Sequence, residues 1–329
     1  MMSKEELKSS LGISAIRKVK VVDMSDLSRA INCVFTEKVL ADLVLRNAND
    51  VFDCVAHEYL PECEGKKVGD LYSEIYNYLY LDQRNEYFYQ NTLLNRLLLA
   101  KHDPATTVAF RQLRVAMSIA DFVMINGEGR AYEIKSDLDN FHRLAGQLND
   151  YYKAFSKVCV VVPQSQFCKV ANEVDAIPGF GKYVGIYSMT KRGAISRKLV
   201  REPKKYSVNL QHDALFGLLR KPEYQRVLRE YFNTLPDDPP VFYYEACQKM
   251  FRLIPILKAQ KLVLKQLKKR NTWFRGKLDS VHYELKSILY FARTKFDANA
   301  LRATLEAPYQ GGLVCTTHIS EDVKQNFLP

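Results

Sequence analysis

The sequence predicts an α/β protein: a mixed sheet built in the order αβββαβ, with helical segments before and after it. Three observations carry this. Helical spacing of apolar residues gives way to alternation after His102-Asp103-Pro104; helical spacing returns over residues 140–155; and Val158 to Val162 is an unbroken apolar run, as in strands buried on both faces. Helices packed on a sheet follow from that order.

Residues 1–83 read as a helical N-terminal segment, with one stripe at Val39, Leu40, Leu43 and Val44 and another at Leu71, Ile75 and Leu79. Tyr72, Tyr76, Tyr78 and Tyr80 could stack on bases, although packing in a core is the commoner use of such a cluster. A core domain is expected over 84–200. Its first helix runs from the N-cap Asn85 to Lys101, with Glu86 in the first turn, where the helix dipole favours an anion. Strands are expected at 108–117, 119–125 and 130–136, the last two joined at Asn126-Gly127-Glu128-Gly129. The helix over 140–155 turns Phe141, Leu144, Leu148, Tyr152 and Phe155 inward, with Asp137 and Asp139 available to cap a start near Asn140. A further strand near Tyr183–Met189 ends in a turn at Lys191-Arg192-Gly193. Residues 205–329 read as a helical C-terminal domain. Its clearest linker is Leu235-Pro236-Asp237-Asp238-Pro239-Pro240, where an Asp can cap the next helix and a Pro can occupy its first turn.

Composition narrows the class. Only 14 Gly and 12 Pro in 329 residues exclude collagen-like and low-complexity chains. Seven cysteines without a C-x-x-C pair favour scattered buried thiols over a zinc ribbon or a disulfide framework. No stretch approaches the roughly 18–20 apolar residues of a spanning helix, and the start MMSKEELKSS lacks the apolar core of a secretory signal, so a cytoplasmic protein without a membrane partner is expected. The 48 Lys and Arg against 37 Asp and Glu leave a net charge of +11, which leans towards a polyanionic partner.

The chemistry concentrates between Ile119 and Tyr151. Asp121 shares a strand face with Ile119 and Val123, and Glu133 shares one with Lys135, while Tyr132 and Ile134 point to the opposite side. Parity decides whether the two acids meet. A two-residue turn at Asn126-Gly127 would put Asp121 on the wrong face, so an odd-length loop is expected, with Gly127 or Gly129 at positive φ. The E-x-K tripeptide alone says little, because the chain has five: Glu6/Lys8, Glu64/Lys66, Glu133/Lys135, Glu202/Lys204 and Glu284/Lys286. Only Glu133/Lys135 lies on a strand beside an acid-bearing strand. Two carboxylates beside a lysine suit metal-assisted phosphodiester hydrolysis, since Mg²⁺ binds through one or two carboxylates plus phosphate oxygen. An ordinary cross-strand ion pair is the alternative. Gln147 and Tyr151, one helical turn apart, flank the sheet and could steady the lysine and the nucleotide; Glu86 is a third carboxylate or simply a helix cap.

These residues carry a resemblance. Glu86, Arg114-Val-Ala-Met-Ser-Ile-Ala-Asp121, Tyr132-Glu-Ile-Lys-Ser136 and Arg143-Leu-Ala-Gly-Gln147-Leu-Asn-Asp-Tyr151 resemble the PD-(D/E)XK nuclease superfamily, in its RecB-like branch with a Q-x-x-x-Y motif, and an uncharacterised bacterial and prophage-borne family within it. The likeness covers about residues 84–190, and a similar helical tail extends it beyond 208. It implies a restriction-endonuclease-like core whose catalytic residues are Asp121, Glu133, Lys135, Gln147 and Tyr151. It assigns Mg²⁺ (or Mn²⁺) to Asp121, Glu133 and Ile134, with Glu86 matching more loosely. Ala120 stands where the motif commonly has proline, and the four cysteines of iron–sulfur relatives are absent. The implied function is a metal-dependent nuclease, on DNA in preference to RNA, in phage defence, restriction or mobile-element processing. A catalytically inactive nucleic-acid-binding or interaction protein on the same scaffold is the rival.

Elsewhere, Lys258, Lys261, Lys265 and Lys268 align on one helix face opposite Leu257, Leu264 and Leu267, followed by Lys269, Arg270 and Trp273. Such a stripe could track a nucleic-acid backbone, or be a solvated helix face. His102 and His142 lie near the site in sequence and could assist proton transfer, though loop histidines without function are commoner. The chain leaves a homo-oligomer open.

Overall fold

The computed structural model describes residues 31–60, 62–81, 84–103, 106–136, 139–190, 193–270, 278 and 281–311. Among these residues six strands form one mixed sheet in chain order: β1 Val108–Val115, β2 Ser118–Asn126, β3 Glu128–Ile134, β4 Lys157–Pro163, β5 Gly185–Met189 and β6 Ile195–Arg201. The first three make an antiparallel meander, β3, β4 and β5 run parallel, and β6 returns antiparallel. Mixed α/β is therefore the architecture, with the αβββαβ order intact.

Before the sheet come α1 (Glu37–Arg46), α2 (Asp50–Tyr59), α3 (Val68–Leu81) and α4 (Glu86–Leu93). Asn85 does cap α4, its side chain accepting from the Phe88 N–H at 2.9 Å. The expected single helix to Lys101 instead widens into a π-helical turn at Leu94–Leu99. Between β3 and β4 lies α5 (Leu144–Tyr152), and α6 (Phe167–Asp175) follows β4. α5 starts later than expected. Asp139 accepts from the backbone and hydroxyl of Ser136, both at 2.7 Å, so it closes the preceding loop rather than capping a helix at Asn140; Asp137 lies outside the described residues.

The C-terminal helices are α7 (His212–Gly217), α8 (Lys221–Phe232), α9 (Pro240–Arg252), α10 (Ile256–Lys268), α11 (Lys286–Phe291) and α12 (Ala298–Glu306). Pro240 takes the first position of α9 as expected, but neither linker aspartate caps it. β6 was missed. As an edge strand with only partial burial it shows little alternation, and the turn before it closes through Gly193 (φ +64°), with Lys191 and Arg192 outside the described residues.

The sheet separates two cores. Phe122, Met124, Tyr132, Ile134, Cys159, Val161 and Tyr187 pack under α1–α4, α11 and α12. Val123, Ile125, Ala131, Val158, Val160, Val162 and Ile186 pack under α5–α10. The Val158–Val162 run thus supplies alternate residues to both sides, which is why it needs no polar face. Tyr72 and Tyr76 are buried in the first core, which settles them as packing residues; the Tyr78 hydroxyl donates to the Tyr59 carbonyl, and the side chain of Tyr80 lies outside the described residues.

The segment read as one C-terminal domain packs in two places. Residues after 281 return to the N-terminal helices. The Tyr309 hydroxyl donates to Asp53 at 2.8 Å, Lys67 pairs with Glu306 at 2.6 Å, and Glu37 accepts the backbone N–H groups of Arg293 and Thr294.

Candidate active site

The β2–β3 hairpin has the odd-length connection that parity requires. Asn126 pairs with Glu128 and Ile125 with Gly129, with Gly127 alone at the tip at φ +70°. The same register, continued past Phe122↔Tyr132, brings Asp121 opposite Glu133. Main-chain pairing stops there. The Asp121 carboxylate accepts the Ile134 N–H at 2.7 Å, while the Lys135 N–H continues the parallel ladder to Val161 O at 2.9 Å.

A distortion in β1 and β2 produces this. Arg111↔Phe122 and Leu113↔Ala120 are paired, but Gln112, between them and opposite Asp121, is not, and its backbone sits in the left-handed region at φ +51°. Beyond it the ribbon changes face. By strict alternation Ala120 belongs with Phe122 and Met124, yet it is buried in the other core with Val123 and Ile125. Asp121 is therefore presented at a kink, where a side chain can leave the sheet surface and reach its neighbour's main chain.

The result is a cleft of about 380 Å³ that gathers Glu86, Asp121, Glu133, Ile134, Lys135 and Gln147. Glu133 and Lys135 are almost wholly buried, and the Lys135 ammonium bridges Glu133 Oε1 (2.8 Å) and Gln147 Oε1 (3.1 Å). Tyr151 stands behind them, its hydroxyl 2.5 Å from Glu133 Oε2 and 2.8 Å from the Ile119 carbonyl oxygen. Four of the five residues expected to carry chemistry thus share one hydrogen-bonded network, and the fifth, Asp121, faces the same cleft. Glu86 joins from α4: its Oε1 accepts from Gln90 at 2.6 Å and from Gln112, so it faces the cleft as well as opening its helix.

Charge crowding marks the site. Burial, then the facing Glu133 and Glu86 carboxylates, push the Asp121 carboxyl up to about 8 against the pull of the Ile134 N–H and Lys135. Burial also raises Glu86, with Glu133 and Asp139 adding to it and Gln112 and Arg111 opposing. Tyr151 is held far above the usual phenol range by burial and by Glu133, so it remains a donor. Carboxylates held close at such a cost suit a hard cation that would replace their protons.

Among the described residues no three His, Cys, Asp or Glu side chains stand together at metal-ligating spacing. A donor set here would therefore consist of one or two carboxylates, a main-chain oxygen and water, which is the habit of Mg²⁺ and fits Asp121, Glu133 and the Ile134 carbonyl.

Several residues in or beside the cleft are given no part in the site by the sequence. Gln90 and Gln112 hold Glu86, Asp139 orders Ser136, and Arg143 lines the cleft with no acid partner among the described residues. Arg143 could have been found, since it precedes Gln147 by four residues, one turn on the same flank. Gln112 could not, because nothing in its surroundings announces a positive φ.

Other expectations move away from the site. His102 contacts Asn126 at 3.0 Å, at the hairpin tip and so at the far end of β3, and His142 is exposed outside the cleft lining. The lysine stripe also stands apart. α10 meets β3 at Gly129, where Leu264 packs, and the four residues from there to Glu133 span about 13 Å at strand rise. Lys258, Lys261 and Lys265 are exposed, Lys268 is half-buried, and Lys265 pairs with Glu230 at 2.7 Å. Leu257, expected opposite the lysines on the buried face, is 49% exposed; Trp273 lies outside the described residues. No helix among the described residues is long and apolar enough to cross a membrane.

Comparison with known proteins points to a phage protein family. The family model described as bacteriophage P4 protein cII matches residues 80–283, a span that contains the whole cleft. Protein cII of Enterobacteria phage P4 is 24% identical over 151 residues, which are 46% of this chain and 54% of that protein, so the chain spans about half the length of this curated relative. No solved structure matches.

Proposed function

The chain belongs to the bacteriophage P4 protein cII family, and on that footing we propose that it is a Mg²⁺- or Mn²⁺-dependent nuclease of PD-(D/E)XK type that hydrolyses phosphodiester bonds in DNA. The observation that carries the reading is the convergence of Asp121, Glu133 and Lys135, braced by Gln147 and Tyr151, in one cleft where the pairing of β2 and β3 ends. An E-x-K pair on a solvated strand would have neither the burial nor the bracing.

Asp121, Glu133 and the Ile134 carbonyl would hold the ion, with Glu86 beyond them. Such an ion lowers the pKa of a bound water and offsets charge developing on phosphate. The chain's own groups do the rest. Lys135, fixed between Glu133 and Gln147, presents an ammonium to the attacking water and the attacked phosphate. Tyr151 keeps Glu133 from turning away. Arg143, free of any acid partner among the described residues, is positioned to take a phosphate at the mouth. Membership of a phage-related family favours mobile-element processing over the other roles that the resemblance implies.

The test is a digest of linear, circular and single-stranded DNA with Mg²⁺, repeated with Glu133→Gln and Lys135→Ala. Cleavage should vanish in both variants. Equal cleavage by variants and parent removes the reading.

One observation favours a non-catalytic DNA binder instead: both oxygens of Glu133 are already engaged, one by Lys135 and one by Tyr151. Thermal melting with and without Mn²⁺ separates the two. A binder shows no metal-linked stabilisation while DNA binding persists.

A further inference from the structure

The turn joining β1 to β2 is an arm beside the cleft, and its tip is apolar. Met117 is 85% exposed and Ile119 is 41% exposed. Val115↔Ser118 closes the turn, and Ala116 holds it in the left-handed region at φ +52°, an unfavourable place for a side-chain-bearing residue. The arm is anchored. The Ser118 hydroxyl donates to Asp150 at 2.7 Å, and the Ile119 carbonyl takes the Tyr151 hydroxyl at 2.8 Å, so the tip is fixed to the helix that braces Glu133. Arg114, across the strand pair from Ile119, is exposed and meets no acid among the described residues.

A bulky apolar tip in water, flanked by an unpaired arginine and rooted beside an acidic cleft, leaves Met117 with little to pack against among the described residues. Proteins that kink or open DNA use Met, Ile or Leu in this way, inserting them between base pairs while neighbouring cations hold the phosphates. Arg114 across from Ile119 and Arg143 in the cleft lining, neither with an acid partner among the described residues, and the net charge of +11 favour a polyanion over a protein partner.

We propose that Met117 and Ile119 form a wedge that enters duplex DNA at a base step, with Arg114 on the backbone, so that the strand reaching Asp121 and Glu133 is already unpaired. The proposal rests on the nuclease reading and names its substrate: a junction between duplex and single strand. The four residues from Met117 to Asp121 span about 13 Å, so cleavage falls on the unpaired strand close to the junction.

The experiment compares binding of a forked DNA, with 2-aminopurine at the fork, and a blunt duplex of equal length, both in EDTA. The parent should bind the fork about tenfold more tightly and raise the 2-aminopurine fluorescence; Met117→Ser should cut that preference to about twofold or less, and Met117→Leu should restore it. An unchanged preference and signal in Met117→Ser, or a parent that ignores the fork, overturns the wedge. The nuclease reading fails differently: no cleavage of any DNA with Mg²⁺ or Mn²⁺ while the fork preference stands.

Discussion

Asp121 accepts the Ile134 N–H at 2.7 Å, doing with a side chain what the main chain of β2 does for the earlier residues of β3. The carboxylate is thereby pinned beside Glu133 with one oxygen committed. Its other oxygen accepts from none of the described residues. The pairing joins a strand distortion to a site: Gln112, unpaired and at φ +51°, stands opposite Asp121 in the β1–β2 register.

The raised carboxyl of Asp121 makes stability depend on pH. A group whose folded pKa lies above its unfolded value contributes stability that is complete below about 4 and lost as pH rises through about 8. A divalent ion competes with that proton. The increase in Tm on adding saturating Mg²⁺ should therefore grow between pH 6 and pH 9, reaching about 2 °C or more, and Asp121→Asn should abolish both the metal shift and the alkaline loss. A metal shift equal at both pH values counts against the assignment.

Lys135→Ala leaves Glu133 buried without its counter-charge. Chemical denaturation should report a loss of about 3 kcal/mol, and Glu133→Gln a smaller one, because it leaves the Lys135 ammonium buried but relieves the crowding of Asp121 and Glu86. Both should lack cleavage, so the pair separates stability from catalysis.

Tyr151→Phe removes a hydroxyl that meets both Glu133 and Ile119. Stability should fall by about 1–2 kcal/mol, and cleavage by about 10- to 100-fold, because Glu133 loses one of its two restraints. Unchanged single-turnover rates would show that Lys135 alone suffices to hold it.

Gln112 carries backbone strain and a bond to Glu86 together, and two substitutions separate them. Gln112→Gly relieves the left-handed residue and should be more stable than Gln112→Ala by about 1 kcal/mol, while both lose the same grip on Glu86 and fall together in activity. Equal stability of the two would mean that the kink costs nothing.

The lysine stripe lies away from the cleft, so its role is readable from salt dependence. If it tracks the DNA backbone, the double variant Lys258→Ala, Lys261→Ala should lower the slope of log affinity against log salt by about 2. An unaltered slope makes the stripe a solvated helix face.

Alternation made the acidic cluster legible. Period-two spacing puts Glu133 and Lys135 on one face whatever the helices do, and the parity of the hairpin loop then brings Asp121 to them. The Asn85 cap and the central run Val158–Val162 were readable for the same reason, since each depends on local chemistry. The Gln112 kink was not, because a glutamine at positive φ is imposed by its surroundings and leaves no trace in composition. Nor was β6, whose edge position asks for few apolar residues. The return of residues 281–311 to the first helices rests on contacts more than two hundred residues apart, such as Tyr309 with Asp53, and no windowed pattern reports those.

That return has a practical meaning for anyone cutting the chain. A fragment from Asn85 to Arg270 retains every cleft residue and the lysine helix, yet it removes the clasp formed by the two ends. Phe122, Tyr132, Val161 and Tyr187 would then be stripped of their cover. Such a piece would be sticky and poorly behaved, and silence from it in a cleavage assay would speak about its naked flank rather than its chemistry.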